Sequence, residues 1–132
     1  FQLRISNINN LMNEAVSYDA ERVETVKTRL RTALDELKVN VDENRFEQEL
    51  IFYLEKYDIT EEKVRLGNHL NYFLETLNGT EANGRKLGFI TQEMGREINT
   101  MGSKSNHSEM QKLVVMMKDE LEKIKEQVLN VL

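Results

Sequence analysis

The chain has 132 residues with no proline, cysteine or tryptophan and a net charge of -5 at pH 7, so it is long enough for one domain and too short for two full-sized ones. The absence of cysteine excludes disulfides, thiolate zinc sites and thiol nucleophiles, and the acidic charge argues against a protein that coats nucleic acid by bulk charge. The absence of cysteine fits a reducing compartment, and no apolar run approaches the roughly 20 residues that span a bilayer, so we expect a cytoplasmic protein with no membrane partner.

The first helix is predicted from apolar residues that recur at steps of three and four. We predict one long helix along this stripe, and the pattern leaves open an interruption near Ser17 to Asp19. The most regular members of the stripe are Val23, Val26, Leu30, Ala33 and Leu37, and it reaches back less regularly through Met12 and Ile8.

A second and a third helix are predicted from capping residues. The segment from Asn40 to Asn44 breaks the period of the first helix, and Asp42 is a good N-cap for the second. The segment from Asp58 to Glu61 has the spacing of a capping box and opens the third helix. The predicted inward residues are Phe46, Leu50, Tyr53 or Leu54, and Tyr57 in the second helix and Leu66, Leu70, Phe73 and Leu77 in the third.

The last two helices follow the clearest loop in the chain, Asn78 to Gly84. Gly102 is predicted to end the fourth helix in a left-handed conformation. The fifth helix keeps a heptad repeat, which is typical of a helix that packs along another helix. The apolar residues are Leu87, Ile90, Met94, Ile98 and Met101 in the fourth helix and Met110, Val114, Met117, Leu121, Ile124, Val128 and Val131 in the fifth.

These patterns together predict an all-α fold, since no segment shows the sustained alternation of a β-strand. We expect an antiparallel helical bundle of about five helices, with long amino- and carboxy-terminal helices and short loops.

A polar stripe follows the third helix. Asp58, Glu62, Arg65 and His69 are spaced four, three and four residues apart, so they lie within one narrow arc of the helix. The stripe lies beside the apolar face, where partial desolvation and neighbouring charges shift the pKa of a titratable group. An N-cap Asp, an exposed Glu–Arg pair and a surface His explain the same spacing without any function. The spacing alone leaves both interpretations open.

A second polar stripe follows the fourth helix, beside two glutamates. Glu93 and Glu97 are four residues apart, where like charges repel, so a cation should neutralise them. The candidates are Lys86, Arg96 and Lys104, or a divalent ion; without cysteine, such a site would suit Mg²⁺ or Mn²⁺ rather than zinc. The stripe itself consists of Arg85, Gln92, Arg96, Asn99 and Ser103.

The segment from Gly102 to Ser105 precedes the fifth helix and contains two hydroxyls and Lys104. It lacks the spacing of a nucleotide P-loop, and a helix rather than a strand comes before it. Two interpretations are open: a helix cap by Ser105 or Asn106, and a seat for a phosphate of a polyanion at the helix amino end.

Several stretches together resemble the carboxy-terminal domain of the bacterial YicC family. The resemblance runs from about Arg45 to Leu132, whereas residues 1–41 are similar only in being helical and in position. We therefore expect 42–132 to be the carboxy-terminal helical domain and 1–41 to be a connector from an amino-terminal domain that this chain, beginning at Phe1, does not include. The matching stretches are Arg45–Leu50, Asp58–Glu62, Arg65–Leu66 with His69, Gly84–Leu87, Gln92–Ser105 and Lys118–Asn130.

The resemblance implies a cytoplasmic endoribonuclease that depends on a divalent metal, Mg²⁺ or Mn²⁺, acts on RNA and assembles as a ring-like homo-oligomer. Combined with the stripes, it predicts three groups of site residues. These are His69, Glu93, Glu97 and Glu62 for catalysis, Glu49, Asp58, Glu62, Glu93 and Glu97 for the metal, and Arg65, Arg85, Arg96 and Lys104 for RNA phosphates.

Three glycines depart from the family pattern. Gly67 replaces a usual Ser, Gly88 stands where most members have Asp, and Gly95 replaces a usual Asn. If that Asp is a metal ligand in other members, this protein binds metal differently or not at all. The acidic charge and the final heptad also fit a second hypothesis, a helical oligomerisation or RNA-docking module without catalysis of its own.

Overall fold

The computed structural model describes residues 1–36, 42–79, 84–105 and 107–131, and all regular structure in these ranges is helical. The predicted all-α class is confirmed. None of the described helices is long and apolar enough to cross a membrane. The helices are α1 (Gln2–Glu36), α2 (Glu43–Lys56), α3 (Thr60–Asn78), α4 (Gly84–Ser103) and α5 (Ser108–Val131). Leu37, Asn40 and Val41 of the predicted break, residues 80–83 of the predicted loop, Asn106 and the side chain of Val131 lie outside the described residues.

Four of these helices form the core, and they contact one another in the cyclic order α1, α3, α4, α5. Neighbouring helices run antiparallel, because the contacts join early residues of one helix to late residues of the next. Arg4 of α1 bonds to Glu120 of α5, whereas Tyr18 stacks on His107 just before α5 begins. The second helix, α2, lies outside this four-helix core and buries only Leu50.

The apolar faces predicted for α4 and α5 are buried as expected. Their shared interior explains the heptad of α5, since α5 packs on both α1 and α4. In α3 the predicted Leu66, Leu70 and Phe73 are also buried, and Leu77 packs partly buried against the core. The confirmed buried residues of α4 and α5 are Leu87, Ile90, Met94, Ile98, Met101, Met110, Val114, Met117, Leu121, Ile124 and Val128.

In α1 the less regular part of the predicted stripe is the buried part. The helix continues without interruption through Ser17 to Asp19, but its core residues are Ile5, Ile8, Met12 and Ala15. The more regular stripe is only half-buried at Val23 and Val26, and Leu30 is 40% exposed. The reason is that α5 begins near the middle of α1, where Tyr18 contacts His107, so the second half of α1 lies against α2 and the connection before α5.

The helix caps follow the sequence in one case and depart from it in another. The Asp42 carboxylate accepts the backbone N–H groups of Asn44 and Arg45, as predicted for the start of α2. The Asp58 carboxylate accepts the N–H and the hydroxyl of Thr60, where α3 begins. The predicted capping box does not form, because Glu61 bonds to Arg65 instead.

Gly102 does not end α4 as predicted. It lies inside the helix, which continues to Ser103. A Cβ atom at Gly102 would lie 3.0 Å from the Cγ1 atom of Val114 on α5. The glycine therefore allows α4 and α5 to approach each other closely.

Candidate functional site

Four of the predicted site residues converge between α3 and α4, and we call Glu62, Arg65, Glu97 and Lys104 the α3/α4 cluster. Its two carboxylates are almost completely buried, with Glu62 2% and Glu97 5% exposed. The guanidinium of Arg65 donates from Nε to Glu97 at 3.0 Å, and its Nη2 lies 3.4 Å from Glu62. The cluster thus joins the first half of α3 to the second half of α4.

Lys104 completes the cluster from the residue after α4. Its Nζ donates to the Glu62 Oε1 atom at 2.8 Å and to the backbone carbonyl of Asp58 at 3.0 Å. The other Glu62 oxygen, Oε2, is buried without a hydrogen-bond partner among the described residues. A buried polar atom of this kind is uncommon in proteins and is often found at functional sites. The cluster is therefore more than a surface ion pair.

Hydrogen bonds within and beside the cluster favour the charged form of Arg65. The hydrogen bonds to Glu97 and Glu61 raise the pKa of the Arg65 guanidinium, although desolvation opposes them. With Glu61 included, three carboxylates surround Arg65 and Lys104. Of the cations predicted to neutralise the glutamate pair on α4, Arg96 lies near Glu93, whereas Glu97 pairs with Arg65 on another helix.

The remaining predicted residues are spread around this cluster. Glu93 is half-buried and lies 3.8 Å from Arg96, whose side chain is 74% exposed. His69 is half-buried one helical turn after Arg65 and makes no hydrogen bond or ion pair with another described residue. Glu49 is exposed on α2 and lines an apolar groove against α1.

Arg85 lies at the opposite end of α4 from the cluster. It precedes Lys104 by 19 residues, which corresponds to about 28 Å along a helix. It makes an interaction within the protein and is not a free cation. Arg85 and Lys104 therefore cannot contact the same phosphate.

The carboxylates do not form a metal site in this arrangement. Across the described ranges, no three Asp, Glu or His side chains lie close enough together to hold a metal ion. Glu62 and Glu97 are occupied by Lys104 and Arg65, and the Asp58 carboxylate holds Thr60. Two neighbouring cations also disfavour a third positive charge. Metal binding by Glu49, Asp58, Glu62, Glu93 and Glu97 stays a prediction.

The three glycines singled out from the sequence, Gly67, Gly88 and Gly95, differ in the space around them. Neither Gly67 nor Gly88 has an atom within 4 Å of the position that a Cβ would take, so a side chain fits there. At Gly95 a Cβ would lie 3.3 Å from the Cδ2 atom of Leu121. Gly95 therefore has a packing role between α4 and α5, whereas Gly67 and Gly88 have none.

The connection from α4 to α5 is fixed by its own side chains. The Ser105 hydroxyl accepts the N–H of His107, and Nδ1 of His107 accepts the N–H of Glu109 in the first turn of α5. Gln111 Nε2 donates to the carbonyls of Gly102 and Ser105. The cap of α5 is thus His107, which the sequence did not indicate, whereas Ser105, predicted as a helix cap, bonds to the N–H of His107 before the helix begins.

Sequence reasoning missed a pocket next to the cluster. It has a volume of about 440 Å³ and lies between α1, α2 and the connection from α4 to α5. A signal was present in the sequence, since Arg22 and Arg29 are two helical turns apart and Tyr53 and Tyr57 are one turn apart. These residues, with Lys104 and His107, line the pocket.

Comparison with known proteins supports the resemblance and extends it. The sequence model of the family described as "Endoribonuclease YicC-like, C-terminal" matches residues 15–132, which includes most of α1 as well as the region from Arg45 onward. A protein of Clostridioides difficile strain 630 named "Probable endoribonuclease YicC" is 39% identical over 132 residues, covering 98% of this chain and 45% of the relative. A protein of Haemophilus influenzae with the same name is 36% identical over 104 residues, covering 79% of this chain and 36% of the relative. The chain spans less than half the length of both relatives.

Proposed function

Because this chain belongs to the endoribonuclease YicC-like family, we propose that the intact protein cleaves phosphodiester bonds of RNA and that this helical region is its carboxy-terminal domain. The supporting observation is the α3/α4 cluster, in which residues from both predicted polar stripes meet. Buried, charged and hydrogen-bonded side chains of this kind are typical of sites that hold a charged substrate or reacting group in place.

In this proposal the buried carboxylates are positioning residues. Glu97 fixes the guanidinium of Arg65, and Glu62 fixes the ammonium group of Lys104. The donors of these cations that are not engaged by carboxylates can bond to phosphate oxygens as negative charge develops during cleavage. Arg96, which is exposed on α4, adds a further phosphate contact.

Proton transfer is assigned to His69. Attack by the RNA 2′-hydroxyl requires a base to accept its proton and an acid to protonate the leaving 5′-oxygen. A histidine is suited to one of these steps because the ordinary pKa of imidazole lies near neutrality, and a carboxyl group would complete the acid–base pair. His69 lies on the same arc of α3 as Arg65, and no other described residue holds its ring by a hydrogen bond.

Dependence on Mg²⁺ or Mn²⁺, a ring-like homo-oligomer and a cytoplasmic location are proposed for the intact protein from the family resemblance. The described carboxylates do not fit a metal site as they are paired here, so no step of this mechanism passes through the ion. Division of the chain into a connector, 1–41, and a domain, 42–132, also stays a prediction, although the first half of α1 contributes to the common core.

A second candidate function is an RNA-docking or oligomerisation module without catalysis of its own. Two observations favour it: the carboxylates of the α3/α4 cluster are neutralised within the chain, and α2 exposes Ile51 and Phe52 to solvent. Exposed apolar residues on one helix are typical of surfaces that contact another protein.

Cleavage of end-labelled RNA by the intact protein tests the proposal. We expect cleavage with Mg²⁺ or Mn²⁺, loss of cleavage in EDTA and recovery when the metal is restored. The variant Glu97→Gln should cleave more slowly because it leaves Arg65 less firmly held, whereas Glu126→Gln on the exposed face of α5 should cleave at the normal rate.

Each alternative result has a distinct meaning. Absence of cleavage with any divalent ion, together with RNA binding by the 132-residue chain, would support the docking module instead. Cleavage that persists in EDTA would contradict only the metal dependence. Equal rates for Glu97→Gln and Glu126→Gln would remove the cluster from the reaction.

A further inference from the structure

The pocket beside the α3/α4 cluster has walls of two chemical kinds, and we call it the tyrosine pocket. It is lined by Arg22, Arg29, Lys104 and His107 and by the rings of Tyr53 and Tyr57. Its volume of about 440 Å³ lies within the roughly 300–1,000 Å³ of ordinary ligand pockets. Lys104 belongs both to this pocket and to the α3/α4 cluster.

The cations of the pocket are not all neutralised. Arg29 is exposed and has no carboxylate partner among the described residues. Arg22 bonds to Asp19 through Nε, but its Nη2 atom is buried and has no acceptor in the described part of the chain. Glu21 is the single acidic residue of the lining. The pocket therefore offers unused donors, and Arg29 contributes a positive charge that no described carboxylate neutralises.

The aromatic wall is formed by two tyrosines one turn apart on α2. The rings of Tyr53 and Tyr57 have centroids 5.1 Å apart and are tilted by 59°, so they are not stacked face to face. Tyr57 already carries the guanidinium of Arg22 at 5.9 Å from its centroid. Tyr53 is 42% exposed, which leaves part of its ring open to contact by a planar group.

We propose that the tyrosine pocket binds one unpaired nucleotide of RNA, with its base stacked on Tyr53 and its phosphate bound by Arg29 and Lys104. The proposal rests on the RNA substrate proposed above and specifies where a strand is held. Proteins bind unpaired bases on aromatic side chains and the adjoining phosphates by Arg and Lys. A pocket of this volume cannot admit a duplex, so it selects single-stranded RNA or a looped-out base.

The position of the pocket gives this nucleotide a role in cleavage. Lys104 contacts both the pocket and the buried carboxylate of Glu62, so a strand anchored in the pocket passes next to the α3/α4 cluster. The pocket thereby places a neighbouring phosphodiester near Arg65 and His69. It acts as a substrate-positioning subsite and takes no part in bond breaking.

A double comparison of protein and RNA tests the stacking contact. Binding of the intact protein to a short single-stranded oligoribonucleotide is measured in EDTA, with and without one abasic nucleotide at successive positions. We expect removal of the base at one position, or Tyr53→Ala in the protein, to weaken binding about 5- to 100-fold. The two losses should not add, because each removes the same contact.

Matched variants distinguish the pocket from general effects. Arg29→Ala should weaken binding and lower the slope of log affinity against log salt by about one phosphate. Lys118→Ala removes an exposed cation on α5, and Phe89→Ala an exposed aromatic on α4; both should bind RNA normally. The variant Tyr53→Leu removes the aromatic ring but keeps an apolar contact to Tyr57. Circular dichroism of the helical signal shows whether each variant is folded.

Competition separates the possible sources of the nucleotide. Adenosine or uridine monophosphate should compete weakly with the oligoribonucleotide, and inorganic phosphate should compete less than either. Equal competition by inorganic phosphate, or losses from Tyr53→Ala and the abasic site that simply add, would overturn the proposal. A protein that cleaves no RNA but shows the non-additive losses would contradict the proposed function and leave the pocket intact.

Discussion

The Nζ atom of Lys104 lies 2.8 Å from Oε1 of Glu62, and this contact joins the residue after α4 to the first turn of α3. Glu62 is 2% exposed, and its second oxygen has no hydrogen-bond partner among the described residues. The carboxylate therefore depends on Lys104 and, more weakly, on Arg65 at 3.4 Å for compensation of its buried charge. Loss of either cation should therefore affect folding and, under the proposed function, RNA binding.

We predict that Lys104→Ala destabilises the protein. Removing one partner of a buried ion pair leaves an uncompensated charge, which costs roughly 3–5 kcal/mol when both partners are buried; because Lys104 is partly exposed, we expect about 2–3 kcal/mol. Urea unfolding followed by circular dichroism measures the change. The double variant Lys104→Met with Glu62→Gln should recover part of the loss, and a Lys104→Ala protein as stable as the parent would show that the pair is unimportant.

The contacts of Glu120 predict a contribution to stability that is lost at acid pH. Desolvation raises the pKa of its carboxyl group, but hydrogen bonds from Asn7 and Arg4 and the charge of Lys123 outweigh it, so the net pKa lies below the ordinary value of 4.5. A lowered pKa means that the stabilisation is fully present above pH 4.5 and is lost as the pH falls through the folded-state value.

The test of this prediction compares thermal unfolding of the parent and of Glu120→Gln between pH 6 and pH 3. The variant should have a lower melting temperature at the upper end, and the difference between the two proteins should shrink toward the lower end. A difference that stays constant with pH would show that Glu120 acts by packing rather than by charge.

Because the described heptad residues of α5 are buried, we predict that truncating their side chains strongly lowers the free energy of unfolding. Ile124 is fully buried and Leu121 is 3% exposed, so replacing either by Ala should cost about 2–5 kcal/mol through loss of contacts and formation of a cavity. Leu30→Ala, in the exposed second half of α1, is the matched control and should cost less than about 1 kcal/mol. Equal costs at the two places would contradict the burial of α1 and α5 described here.

We predict that replacement by alanine has opposite effects on stability at two glycines of α4. At Gly88 nothing lies near the position of a Cβ, so Gly88→Ala should stabilise by about 0.5–1 kcal/mol through helix propensity. At Gly102 the new Cβ would meet Val114 at 3.0 Å, and the strain, about 1–3 kcal/mol, should outweigh that gain. Chemical unfolding of both variants under the same conditions checks the difference in sign.

The variant His69→Ala tests whether His69 acts in catalysis or only in the structure of the protein. If His69 transfers a proton, its removal should lower the cleavage rate by roughly 10²- to 10⁴-fold. RNA binding should stay almost unchanged, and the pH–rate profile should lose one limb. His107→Ala, which removes a helix cap, should not change the pH profile in this way. Normal cleavage by a less stable His69→Ala protein would mean that the polar stripe of α3 is structural.

The sequence determined the helices and most of their buried faces. A helix is a local structure, and its buried face is marked by apolar residues three and four positions apart. The faces of α4 and α5 were predicted correctly from this period. In α1 the more regular stripe is the less buried one, because burial depends on which helices lie alongside, and α3 and α5 cover only its first half.

The partners of the site residues were decided by the tertiary structure alone. The stripe of α3 could be found by spacing, but spacing along one helix does not show that Arg65 pairs with Glu97 or that Lys104 pairs with Glu62, 42 residues away in the chain. The tyrosine pocket is a stronger case, since it needs α1, α2 and the connection before α5 to meet at one place. Such contacts arise only when apolar faces pack, because packing fixes which polar side chains beside those faces come within hydrogen-bond distance.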